Sequence, residues 1–131
     1  MFKLFSLQEA NELIPLVEEH LETMQSAVQA TLRLRDEISR LKPFSIEARN
    51  KAQEIAFLMH EVHETKAQLD RLGVFLTDID VGVVDFPSQV GAEVVYLSWE
   101  KGQDAITHYH RLNEAGRQPL PQRPEPLGAL A

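Results

Sequence analysis

Asp85, His110 and Arg117 form the sharpest polar set in this sequence, and the only tryptophan, Trp99, falls between them along the chain. A carboxylate beside an imidazole can orient a proton transfer or hold a divalent metal. Arg117 would add an anion contact and Trp99 an apolar wall. These four are the candidate ligand-binding residues, and Asp85 with His110 is the candidate metal pair. The same residue types also have plain structural uses. Asp85 can accept backbone N–H bonds at a Phe86-Pro87 turn, His110 can fill a hydrogen-bonded slot, and Arg117 can pair with a carboxylate to fix the last segment. No catalytic residue is assigned.

Other groupings are weaker. His108 and His110 would share one face on a strand but point to opposite sides of a helix. Residues 103–114 read as helix, which separates them and leaves His108 on the surface. His60, His63 and Glu64 lie within chelating spacing on a helix, yet the neighbouring apolar seam turns them towards solvent. Asp78 and Asp80 resemble the start of a calcium loop without its later ligands and read as solvent-facing strand residues. The chain holds no phosphate loop, dinucleotide fingerprint or nucleophile signature. Nothing here translates into a reaction, and the sequence leans away from an enzyme.

Bulk properties narrow the classes further. The 131 residues make one domain by length, with a formal net charge of -7 and no cysteine. Acidity argues against nucleic acid and anionic membrane surfaces as partners. Without cysteine there are no disulfides, thiolate metal sites or thiol nucleophiles. No apolar run suits a signal peptide or a membrane span, so a cytoplasmic location is expected. The residue types admit a divalent metal but assure no cofactor.

These residues need elements to position them. Ser6 and Glu9 read as a capping box that opens a helix over residues 6–42. Its apolar stripe runs Ile14, Val17, Leu21, Met24, Val28, Thr31 and Ile38, widened by a flanking column at Ala27, Leu34 and Leu41, with Arg35 on the seam and Pro15 predicting a kink near Asn11–Leu13. Pro43 breaks this pattern and Ser45 caps a second helix over 45–72, ended by Gly73. After Gly73 the period changes. Val74–Asp80, Val83–Phe86 and Glu93–Trp99 read as a three-stranded antiparallel meander spanning 74–99, with a loop at Pro87, Ser88, Gln89 and Gly91. A short helix over 103–114 follows. The fold class is therefore α+β and mainly α: a long antiparallel helical hairpin, a small meander and a C-terminal helix. Residues 1–117 make the domain, and the Pro-rich 118–131 read as a disordered tail.

The stretches FSLQEANELIP, GVVDFP and YLSW-x-x-G-x-x-x-I-x-x-Y-H, with AGRQPL after them, resemble the prokaryotic domain-of-unknown-function family numbered 2203. The resemblance covers the chain through Leu120 and implies a helical hairpin followed by a β-rich segment. It brings no activity. It implies that Asp85, Phe86, Pro87, Trp99, Gly102, His110, Gly116 and Arg117 occupy motif positions. The chain departs from the family at Ser98, where cysteine is usual, and at Gln103, where glutamate is usual.

A bare two-helix hairpin buries too little apolar surface to stand alone. The sequence therefore points first to an oligomerising helical-hairpin scaffold, a homodimer presenting a surface to a protein partner. The alternative is a metal- or small-ligand-binding protein, or an enzyme, with its pocket at Asp85, Trp99, His110 and Arg117.

Overall fold

A computed structural model describes residues 3–114 and 116–120. Among the described residues, two helices precede an antiparallel sheet. They are α1 (Leu7–Ser39) and α2 (Ile46–Leu72), then β1 (Phe75–Asp78), β2 (Val83–Val90), β3 (Glu93–Glu100), β4 (His108–Arg111) and β5 (Gln118–Pro119). The strands lie side by side in chain order. The expected α+β hairpin-plus-sheet class holds, with two corrections: among the described residues the sheet has five strands rather than three, and the segment expected as the C-terminal helix forms none. The segment expected as helix over 103–114 contains β4, which pairs with β3 from Val95↔Arg111 to Ser98↔His108. Ile106 and Tyr109, spaced as on a helix, both reach the core, but neighbouring strand edges offer hydrogen bonds that a short isolated helix lacks. Gln118–Pro119 adds a strand at the start of the expected tail, and residues 121–131 of that tail lie outside the described residues.

Ser6 caps α1 reciprocally. Its Oγ accepts from Glu9 N–H at 3.0 Å, and Glu9 Oε1 accepts from Ser6 N–H at 2.9 Å. Hydrogen bonding to its carboxyl, first by the Ser6 backbone N–H and then by the Ser6 hydroxyl, holds Glu9 below its usual range. A depressed folded-state value means stability present above the unfolded carboxylate range and lost as pH falls through the folded one. Glu9→Gln, which keeps the acceptor but not the charge, should therefore be less stable at neutral pH. The gap should close in urea melts taken at falling pH, and a constant gap would contradict the assignment.

The helix continues through Pro15. Beyond Met24 the expected flanking positions Ala27 and Leu34, with Thr31, carry the buried line while Val28 is only partly buried, and this phase leaves Arg35 exposed rather than on the seam. The proximal part of α1, with Leu69 of α2, packs on the sheet, whose inner face presents Val84, Phe86, Val90, Val95, Leu97, Trp99 and Tyr109. That shared core ends at Met24 on α1. Farther out, Ala27, Thr31, Leu34 and Ala48 are buried in the hairpin alone.

β2 runs straight through Pro87, correcting the expected loop there. Proline lacks an N–H and is excluded where a ladder needs one. Here Pro87 O accepts from Phe5 N–H at 2.7 Å, so the proline's missing donor lies on the side where the N-terminal segment runs, not facing β3. β1, in turn, ends at Asp78, two residues short of expectation. Asp78 Oδ1 accepts from Val81 N–H at 3.0 Å, which makes residues 78–82 a turn, and Asp80 stands exposed within it. Gln25 of α1 clamps this turn by donating to Ile79 O at 2.9 Å and accepting from Lys101 Nζ at 2.8 Å.

Candidate functional site

The alternation of β2 and β3 divides the candidate residues between two faces. Val84, Phe86 and Trp99 point into the core, whereas Asp85, Ser98, His108 and His110 share the outer face, with Asp85 directly opposite Ser98 in the ladder. Trp99 is fully buried and donates its indole N–H to Gln103 O at 2.8 Å. It is therefore no wall for a pocket at Asp85. Arg117 sits half-exposed with its guanidinium 3.8 Å from Glu100. Of the four expected site residues, only Asp85 and His110 touch.

Their contact crosses a whole strand. β2 and β4 flank β3, so their backbones stand about 10 Å apart, and His110 Nε2 meets Asp85 Oδ2 at 2.9 Å above β3. The β3 residue beneath this bridge must be small. Ser98 is, and its hydroxyl donates to Asp85 Oδ1 at 2.6 Å. Tyr96 stacks on the His110 ring at 5.2 Å, and Phe75 meets Tyr96 edge-on at 6.1 Å. Phe75 stands opposite Asp85 in the β1–β2 ladder, and Asp85 is almost wholly buried with both oxygens hydrogen-bonded. A buried carboxylate is tolerated when so paired.

His110 Nδ1 lies 3.1 Å from Arg111 O; a carbonyl only accepts, so the Nδ1–H tautomer satisfies this contact, and Nε2 faces the Asp85 carboxyl. Ser98 gives its hydrogen bond to the carboxylate and not to the imidazole, so the trio lacks the nucleophile-to-base contact of a hydrolase triad. Among the described residues, no three His, Asp or Glu side chains cluster as metal ligands.

His108 shares the face of His110, the reverse of the helical expectation, and its Nδ1 is 2.8 Å from Thr107 Oγ1. His60, His63 and Glu64 are exposed on α2. Gln103 closes the β3 turn: its Oε1 accepts from Glu100 N–H at 3.1 Å.

A second feature lies at the far end of the hairpin. Phe44 adopts φ +63°, the only non-glycine residue with positive φ among those described, and is 84% exposed. Ile46 at 78%, Phe57 at 73% and Leu32 at 58% are also open to solvent. The seam of α2 is half open as well, with Ile55, Leu58 and Val62 only partly buried. Sequence reading recognised the break at Lys42–Ser45 but not the strained phenylalanine, because nothing in a lone Pro-Phe-Ser specifies a left-handed backbone.

Fold and surface together define a class: a projecting two-helix hairpin whose base is backed by an antiparallel sheet. The family model described as "Uncharacterized conserved protein (DUF2203)" matches residues 3–120, and the chain belongs to that family. No curated protein and no solved structure matches it. Among the described residues, no helix is long and apolar enough to cross a membrane.

Proposed function

We propose that this protein is a non-enzymatic self-associating module whose projecting hairpin pairs with that of a second copy. The observation that carries the reading is the exposure of Phe44, Ile46, Phe57 and Leu32 on the hairpin beyond the shared core. Large apolar side chains concentrated on one projecting element mark an interaction surface, and a bulky residue held at positive φ points to a functional constraint. The half-open seam of α2 supports the same conclusion, since a partner helix would complete its burial. The Asp85 bridge is read as a structural tie between β2 and β4.

The test uses two variants that spare the monomer. Phe44→Gly relieves the left-handed strain, and Phe57→Ala places a better helix former at an exposed site. Neither should lower the stability of the isolated chain appreciably. Each should raise the dimer dissociation constant about tenfold or more by removing a phenylalanine from the interface. Light scattering over a micromolar concentration series measures it. A wild-type monomer throughout that range would overturn the reading.

A further inference from the structure

The hairpin is electrically bipolar along its length. Between residues 4 and 32 the chain carries five glutamates and no lysine or arginine; between 33 and 54 it carries six lysines or arginines against four acids. Glu9, Glu12, Glu19 and Glu22 are exposed on the proximal part of α1, and Arg33, Arg35, Arg40, Lys42 and Arg49 are exposed at the far end. Among the ion pairs there, Arg40 is matched by Asp36 and Lys51 by Glu37, both within the hairpin. The acidic stretch has one described match, Glu9 with Lys3 at a loose 3.9 Å.

We infer that two copies pair antiparallel, the basic free end of each hairpin lying along the acidic proximal part of α1 of the other. This rests on the self-association proposed above and adds its orientation. In a parallel pair like charges would face each other at both ends. Antiparallel pairing is self-complementary under a two-fold axis, as a closed dimer requires. Solvent-exposed charges contribute little affinity, being screened over about 10 Å at 0.1 M salt, but they choose register and partner orientation. The exposed phenylalanines supply the apolar contact, and the charges choose the direction.

The absence of cysteine makes a single label straightforward. Asn50→Cys places a nitroxide on an exposed position near the free end of the full-length chain. With that end opposite Glu22 to Glu9, the two labels of a dimer should stand about 30–50 Å apart at 1.5 Å per helical residue. Raising salt from 50 to 500 mM should weaken the dimer several-fold. Labels within about 20 Å, the separation of adjacent parallel helices plus their linkers, would overturn the orientation while leaving self-association intact. So would a dimer that strengthens with salt. A labelled chain that is monomeric by light scattering, with the unlabelled wild type also monomeric, would overturn both.

Discussion

Gly82→Ala should lower the unfolding free energy by about 2–5 kcal/mol, combining backbone strain with overpacking. Gly82 has φ +91°, where an L side chain is strained. A Cβ there would stand 2.8 Å from Leu21 Cδ2 and 2.9 Å from Lys101 Cβ. Neither neighbour can yield cheaply. Leu21 is fully buried in the shared core, and Lys101 is fixed at its backbone, donating N–H to Gly82 O at 2.8 Å. Gly102→Ala is the control. Its φ of +99° imposes similar strain, but nothing lies within 4 Å of the added carbon, so about 1–2 kcal/mol is expected. Urea unfolding of the two variants measures the difference. Equal losses would mean that the turn does not press on α1.

The second large effect falls on the bridge. Asp85→Ala should cost about 2–4 kcal/mol, because it leaves the imidazole and the Ser98 hydroxyl without their shared hydrogen-bond partner in a mostly buried place. Asp85→Asn should cost much less. The amide oxygen still accepts from Ser98, and its NH₂ can donate to His110 Nε2, while Nδ1–H keeps its bond to Arg111 O. That arrangement is saturated with a neutral imidazole. The contrast between Ala and Asn, read from chemical denaturation, separates a structural tie from a site. A tie loses stability with Ala and recovers it with Asn. If Asp85→Ala instead folds as stably as the wild type, the bridge is not what joins β2 to β4, and a binding role for the pair becomes the better account.

The helices were legible because their signals are local. Ser6 and Glu9 sit at the spacing one helical turn requires, Ser45 stands just ahead of its helix, and Gly73 adopts φ +89° where a C-cap demands it. Apolar steps of three and four then fixed which face of each helix is buried, apart from the phase slip at Ala27 that moved Arg35 out to solvent. Two of the three expected strand starts, Val83 and Glu93, were legible for the same reason: Gly82 and Gly91 precede them with positive φ.

What the sequence could not decide were the features set by pairing partners. Residues 108–111 have an apolar spacing compatible with either period, and the edge of β3 made them a strand. Pro87 reads as a breaker until the N-terminal segment, some eighty residues away, is seen to occupy the side where its N–H is missing. The pairing of Asp85 with His110 was open to sequence reading only as a guess from residue type. Trp99 looked equally suited, and a period of two along β3 put it on the other face. Composition and local periodicity therefore determined the hairpin, its caps and its bipolar charge, since each depends on residues within a few turns. The tertiary structure alone decided strand number, the burial of Asp85 and the strain at Phe44, because those follow from which distant segments supply hydrogen bonds and space.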